Sequence, residues 1–580
     1  MLKTLLAEVR QYKKASVLAP LFMVGEVVME ISIPMMMAQL IDNGVDKGDF
    51  RSVCVTGAIM AAMAFISLAC GVLSGKYAAL ASSGFAHNLR QAMFRNIQTF
   101  SFANLDKYST AGLVTRMTTD VTNVQNAYQM VLRMCIRAPL MLICAMAAAM
   151  FISLRMSMIF VAALLLLGVA LFFITTHAYP LFNQVFRRYD NLNASVQENV
   201  SAIRVVKAYV REGHETEKFH TANDNVYRLF ISAEKLITLN GPVMQFTMYG
   251  CILAISWLGA HMISAGALTT GNLMSLFTYV MNILMSLMML SMIFVMLTMS
   301  RASMDRIAEV LEEKADLVSP AAAETTVADG SIDLDHVSFA YGEGKPVLRD
   351  IDLHIRSGET IGIIGGTGSA KTSLVQLIPR LYDITEGTVR VGGRDVREYD
   401  LDTLRSAVAM VLQKNVLFSG TIKENLRWGD KYATDEELVH ACKLAQADEF
   451  IQTLPEGYDT YIEQGGTNVS GGQKQRLCIA RALVKKPKIL ILDDSTSAVD
   501  TRTDALIRDA FAKELPETTK LIIAQRISSV QAADKILVLD EGRIAAFGTH
   551  DELLKTSEIY RDVYESQQKG ADDDAATGRA

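Results

Sequence analysis

Cysteine, histidine and proline are scarce in this 580-residue chain, at 7, 9 and 11 residues, and tryptophan occurs only twice. Cys54, Cys70, Cys135, Cys144, Cys251, Cys442 and Cys478 form no C-x-x-C pair and are odd in number. Five of them lie in apolar segments. This pattern argues against a disulfide framework or a zinc ribbon and for small buried hydrophobes. The net charge is only −6, so no basic surplus is available to hold nucleic acid. No cleavable leader is read at the start. MLKTLLAEVRQYKKAS is a basic amphipathic lead-in to an apolar run too long for an h-region.

What the chain has in surplus is apolar residues, 50% of the total, and they concentrate before residue 302. The length exceeds one ordinary domain. Composition thus divides the chain into a membrane half and a charged, slightly acidic globular half. Apolar runs of spanning length fall at about 16–40, 53–80, 128–153, 157–182, 242–265 and 271–300. Short connections alternate with two long ones, 82–127 and 183–241, and the second carries Arg187, Arg188, Arg204, Lys207, Arg211, Lys218, Arg228 and Lys235. The positive-inside rule places both termini and both long connections in the cytoplasm. Helical spacing continues into these connections, so spans two to five should extend beyond the bilayer. They should reverse near Leu105–Ala111 and Ala202–Glu212.

Charges inside spans usually pair or face a polar cavity. Glu26 and Glu30 lie one turn apart in the first span, as do Arg133 and Arg137 in the third. A structural Glu–Arg pairing is the plain reading, and an acidic patch for cationic cargo is the sharper one. Pro34 and Pro139 are candidate kinks, tolerable where neighbouring helices re-satisfy the backbone. The sixth span carries Met281, Met285, Met288, Met292, Met296 and Met299 on one continuous face. Such a face suits either helix packing or varied apolar ligands. Without histidine or cysteine beside it, a copper pathway has little support.

The soluble half turns on Gly365–Thr372, GGTGSAKT. An apolar run ending Ile361-Gly362-Ile363-Ile364 precedes it, and a helical stretch from Ser373 follows. Strand, glycine-rich turn and helix make a phosphate-binding loop, with N–H groups and a helix dipole directed at anionic oxygens. Gly365, Thr367, Gly368, Ser369, Ala370 and Ser373 would line the phosphates of ATP. Lys371 would reach the β- and γ-phosphates, and Thr372 would help hold Mg²⁺. Ala370 stands where the pattern has its second glycine. If φ is positive there, its methyl costs roughly 1–2 kcal/mol.

Downstream, Lys488-Ile489-Leu490-Ile491-Leu492-Asp493 is a buried strand presenting Asp493 at its carboxyl end, where an open α/β sheet binds ligands. Asp493 would hold Mg²⁺, and Asp494 follows at the position of a general base. Ser470-Gly471-Gly472-Gln473, opening a helix, is a second anion-binding end. One nucleotide cannot easily occupy both sites of one chain, so this end should serve a partner.

Together these residues resemble an ATP-binding cassette (ABC) exporter of the fused kind, over roughly residues 10–565. The resemblance implies six transmembrane helices with long cytoplasmic extensions fused to an α/β P-loop nucleotide-binding domain. The boundaries are 1–310 for the membrane domain, 311–330 for a linker, 331–567 for the cassette and 568–580 for a disordered tail. It implies that Tyr341 stacks on adenine, Gly365–Ser373 is the Walker A loop, and Gln413 is the Q-loop glutamine that helps hold Mg²⁺. Glu463 resembles the acidic contact to the coupling helices, which the two reversals would supply. Ser470–Gln473 matches the signature, Asp493 ends Walker B, and Ser497-Ala498-Val499-Asp500 resembles the D-loop. The resemblance also implies a bacterial plasma-membrane location, a second half-transporter as partner, and an amphiphilic or drug-like substrate. A lipid or peptide exporter is the alternative, and an ATP-gated channel or regulator a third class.

Two departures set the functional expectation. The family's catalytic glutamate is Asp494 here, and its switch histidine is Gln525. Together they resemble the degenerate half of a heterodimeric exporter, with weak hydrolysis at this chain's own site and a signature that completes the partner's. A slow homodimer is the competing reading.

Overall fold

The computed structural model describes residues 2–342, 344–494 and 498–576. It forms two compact units, Met1–Gln98 with Thr110–Glu313, and Thr99–Ser109 with Lys314–Ala580. In chain order the first eleven helices are α1 (Leu2–Ala7), α2 (Lys13–Gln39), α3 (Phe50–Ile97), α4 (Phe102–Asp106), α5 (Thr110–Thr115), α6 (Val121–Ile152), α7 (Leu154–Ser201), α8 (Ile203–Ala208), α9 (Glu212–Thr238), α10 (Asn240–Ser264) and α11 (Thr270–Glu312). All but α4 belong to the first unit.

Among the described residues six helical stretches are long and apolar enough to cross a membrane, one for each expected span. Polar side chains set their starts. Asp49 accepts from Arg51 N at α3, Ser153 from Met156 N at α7, and Thr269 from Asn272 N at α11. The core of this unit gathers Met23, Val27, Ala145, Phe160, Leu167, Ile255 and Tyr279 from α2, α6, α7, α10 and α11. Pro34 lies within α2, which pairs with α11 through two carbonyls. Tyr279 donates its hydroxyl to Ile31 O at 2.8 Å, and Ser275 donates to Pro34 O at 2.5 Å. Met281, Met285, Met288 and Met292 are exposed along α11, so this face is not consumed by packing within the chain. The Met299 side chain lies outside the described residues.

Both expected reversals are short helices. α8 occupies the second, followed by Val210 at φ +53°, and it leaves Ile203, Val205, Tyr209 and Val210 exposed. α4 occupies the first and packs with the second unit. Ser101 and Asn104 cap it reciprocally, and the Asn104 amide donates to Lys314 O at 3.0 Å.

The second unit contains the strands β1 (Ile332–Phe339), β2 (Leu348–Ile355), β3 (Thr360–Ile364), β4 (Glu386–Val391), β5 (Arg394–Asp395), β6 (Val408–Val411), β7 (Gly420–Thr421), β8 (Tyr461–Ile462), β9 (Ile489–Asp493), β10 (Thr519–Ile523), β11 (Lys535–Asp540) and β12 (Arg543–Gly548). Its helices are α12 (Lys371–Leu377), α13 (Leu401–Ala407), α14 (Ile422–Leu426), α15 (Asp435–Leu444), α16 (Asp448–Gln452), α17 (Gly471–Val484), α18 (Thr501–Glu514), α19 (His550–Thr556) and α20 (Glu558–Ala576).

The main sheet runs β12-β11-β3-β10-β9-β6, parallel except for β12. Its inner strands are buried on both faces, which explains their unbroken apolar runs. Ile489, Leu490, Ile491 and Leu492 are at most 2% exposed, and each such burial contributes roughly 1.5–3 kcal/mol. An antiparallel sheet, β2-β1-β4-β5, shares a second core around Leu334, Leu353, Ile363 and Leu374. The stretch 568–580 reads from sequence as a disordered tail, whereas α20 carries the helix through Ala576. Residues 577–580 lie outside the described residues.

Candidate functional site

Strands β3 and β9 are separated only by β10, so their carboxyl ends lie close together on one edge of the sheet. The loop Gly365–Ala370 leaves β3 there, and Asp493 ends β9 there. Gly365 needs to be glycine because its φ is +157° and a Cβ would come within 2.2 Å of Leu539 O. A Cβ at Gly366 or Gly368 would meet nothing within 4 Å, so these positions leave an open backbone cradle. Lys371 closes the cradle, its Nζ donating to Gly365 O and Gly366 O, both at 2.8 Å. Burial lowers the Lys371 pKa, while Asp493 and Asp494 oppose that shift. The ammonium is therefore poorly solvated and held by two carbonyls, the condition in which a phosphate oxygen competes well for it. These residues fit a nucleotide triphosphate tail.

Thr372 donates its hydroxyl to Asp493 Oδ2 at 2.9 Å. Burial, with Asp494 adding repulsion, raises the Asp493 pKa against the Thr372 hydrogen bond. A divalent cation would relieve that carboxylate, so Thr372 and Asp493 could hold Mg²⁺ between them. Gln413, the third expected magnesium contact, is exposed just beyond β6.

Ala370 adopts φ +69° and ψ +25°, the left-handed conformation that the glycine pattern anticipates. Its methyl should cost about 1 kcal/mol, partly offset by the smaller entropy of an alanine chain. Ala370→Gly is therefore expected to increase protection of α12 in hydrogen–deuterium exchange. Unchanged or weaker protection would contradict the strain.

Tyr341 lies beside the loop, its hydroxyl 2.8 Å from Ser373 Oγ. Its ring meets Tyr382 edge-on, with centroids 5.2 Å apart. Tyr382 has no motif to announce it, and sequence reasoning missed it. Its hydroxyl donates to Asp106 on α4 at 2.7 Å, and its ring faces Phe102 at 5.9 Å. The first reversal is thereby tied through Tyr382 to the residue expected to stack on adenine. Burial first, and then the Asp106 carboxylate, raises the Tyr382 pKa well above its ordinary value. A raised pKa contributes stability below about pH 10 that is lost as pH rises through the folded-state value. Tyr382→Phe should weaken the α4 contact by about 1 kcal/mol. It should also remove this tyrosine's share of the alkaline loss, which begins only above about pH 10, as followed by proteolysis at α4 on raising the pH from about 9 to about 12. An unaltered profile would contradict the linkage.

Asp494 follows Asp493 at φ +48°, and Gln525 Nε2 donates to its Oδ2 at 2.6 Å. Gln525 is itself anchored, its carbonyl accepting from Gln567 Nε2 at 2.9 Å. The two departures from the family pattern therefore form one contact. The signature forms a capping box at α17. Gln473 N donates to Ser470 Oγ at 3.3 Å, and Ser470 N to Gln473 Oε1 at 2.9 Å. Gly472 packs on the D-loop, where a Cβ would come within 2.9 Å of Ala498 O. Of the D-loop residues, Ser497 lies outside the described residues. Among the described residues no hydrogen bond joins Ser470–Gln473 to Gly365–Ser373. Glu463 is exposed and accepts from Thr467 at 2.7 Å.

Fold and site together define an ATP-binding membrane protein of six spans and one cassette. The model of the ABC transporter transmembrane region matches residues 17–288, and that of the ABC transporter matches 348–497. The uncharacterized ABC transporter ATP-binding protein YfiB of Bacillus subtilis (strain 168) is 38% identical over 566 residues, covering 97% of this chain and 98% of that protein. The chain belongs to the ABC transporters. The fatty acid ABC transporter ATP-binding/permease protein of Mycobacterium tuberculosis is 34% identical, covering 81% of this chain and 75% of its own length. The ATP-dependent lipid A-core flippase of Syntrophus aciditrophicus is 31% identical, over 83% and 80%. The fold is that of a bacterial Atm1-family ABC exporter solved with ATP bound. That match has a TM-score of 0.82 at 24% identity, covering 96% of this chain and 99% of that one.

Proposed function

We propose that this chain is one half of a heterodimeric exporter in the bacterial plasma membrane, with both termini and the cassette in the cytoplasm. In this reading its own Walker site, Gly365–Ser373 with Asp493, binds ATP and Mg²⁺ but hydrolyses slowly. Ser470–Gln473 completes the hydrolytic site of the partner. The observation that carries the reading is the Gln525–Asp494 hydrogen bond. An aspartate in place of glutamate withdraws the carboxylate by about one methylene. Misplacement on the scale of 1 Å costs on the order of 100-fold. Gln525 supplies no protonatable ring and occupies one carboxylate oxygen.

Slow turnover keeps this site closed over ATP, while hydrolysis at the partner's site reopens the pair. Closure swings the membrane halves from inward- to outward-facing and moves an amphiphilic substrate out of the cytosol or inner leaflet. The exposed methionine face of α11 suits an apolar, variable cargo. A lipid cargo is the second reading, favoured by the fatty acid transporter and the lipid A-core flippase among the relatives.

The test is single-turnover hydrolysis in the reconstituted complex, with each Walker site inactivated in turn. Fast turnover should survive loss of this chain's site and disappear with loss of the partner's. Equal contributions would overturn the asymmetry.

A further inference from the structure

The spanning helix α6 carries two guanidinium groups one turn apart, and among the described residues only Arg137 is paired. Arg137 donates through Nη1 to Glu26 Oε1 and through Nη2 to Glu30 Oε2, the latter at 2.7 Å. This uptake of both carboxylates removes the acidic patch that the sequence offered to cationic cargo. Arg133 has no acceptor among the described residues, and its Nε is shielded from solvent without a hydrogen bond. The rest of the residue keeps partial exposure. Gly71 of α3 makes room for this cluster, and Gly75 lies beside it at ordinary contact distance. A Cβ at Gly71 would sit 3.2 Å from the Glu26 carboxylate, and one at Gly75 would sit 3.9 Å from Arg133 Nη1. Glu26 Oε2 is the matching buried acceptor without a partner, so it and Arg133 stand in one cluster without bonding each other.

An arginine left unpaired in an apolar span is costly, and such residues mark substrate paths. A guanidinium never deprotonates, and its planar fork matches a carboxylate or phosphate with two parallel hydrogen bonds. The span around it is apolar by composition, so a ligand that joins an apolar body to an anionic head group suits both the helix and the guanidinium. We propose that Arg133 recognises the anionic head group, a carboxylate or phosphate monoester, of an amphiphilic substrate. The proposal rests on the exporter reading above and specifies the charge of its cargo.

The test uses the assembled transporter in nanodiscs of zwitterionic phosphatidylcholine, with binding and ATPase stimulation measured for matched dodecyl amphiphiles. Laurate and dodecyl phosphate should bind at least tenfold more tightly than dodecyltrimethylammonium. Arg133→Gln should weaken the two anions tenfold or more and change the cation less than twofold. Arg133→Lys, which keeps the charge but loses the fork, should fall between. Competition by inorganic phosphate would show that the head group suffices, and its absence that the tail is required. Either result fits a guanidinium site for the anion.

Preference for the cation would overturn the head-group assignment while leaving an exporter. No response to any amphiphile would instead count against the exporter reading. Should Arg133→Gln fail to assemble, the lysine variant decides. Wild-type anion binding by Arg133→Lys would make Arg133 a structural counter-charge and overturn the proposal. Size-exclusion profiles and binding of a fluorescent ATP analogue separate these outcomes from unfolding.

Discussion

Replacing Ser470 with arginine should lower the ATPase rate of the assembled transporter at least ~100-fold, the scale of losing a positioned transition-state contact. Asp494→Asn should change the same rate less than about twofold. Ser470 opens α17, and its backbone and side chain are spent on the reciprocal cap with Gln473. Gly472, the second glycine that follows, lets the helix end lie against Ala498, where a Cβ would come within 2.9 Å of Ala498 O. An arginine at this position projects a long side chain over the anion-binding end and blocks approach of the partner's nucleotide. Loss of the cap alone costs about 1 kcal/mol, so Ser470→Ala should be much milder and serves as the control. Asp494→Asn acts on the other site, which contributes little turnover in the asymmetric account. Equal losses from the two substitutions, in steady-state ATPase assays on one preparation, would contradict it.

The second large effect is a gain. Asp494→Glu combined with Gln525→His should raise hydrolysis by the chain purified alone about 100-fold, within the 10²–10⁴ range of a positioned general base. The longer carboxylate restores reach toward the attacking water, and the imidazole replaces an amide that now holds Asp494 Oδ2 at 2.6 Å. Either substitution alone should do much less. Glutamate would still face the Gln525 amide, and histidine would face the short carboxylate. The measurement is phosphate release by the single and double variants, with fluorescent nucleotide binding to confirm that affinity is retained. A double variant as slow as the parent would place the limitation elsewhere, in assembly or in Ala370.

The Walker strand, the glycine loop and the six spans were legible because each is written in contiguous residues. Apolar runs of spanning length, a glycine with φ +157° at Gly365 and a buried strand ending in Asp493 are all local signals. At Ala370 the sequence left positive φ as a condition, and the structure supplies it at +69°. The Tyr382–Asp106 contact joins residues 276 positions apart and has no pattern at either end. That α4 packs with the second unit followed from the same long-range contacts and could not be read from helical periodicity. The Glu–Arg pairing in the spans was expected in kind, but spacing alone could not say which arginine would take both carboxylates. Arg133 and Arg137 are the same residue type one turn apart on α6, and it is the placement of Glu26 and Glu30 on α2 that separates them.

The central claim is that this chain's Walker site is slow while its signature serves another chain. The most direct measurement is ATPase activity of the purified chain in lipid, alone and then with a candidate partner half-transporter. The account predicts near-zero activity alone and robust activity with one partner, sensitive to Ser470 of this chain. Robust activity of the chain alone would contradict it and establish a homodimer in which Asp494 and Gln525 are competent.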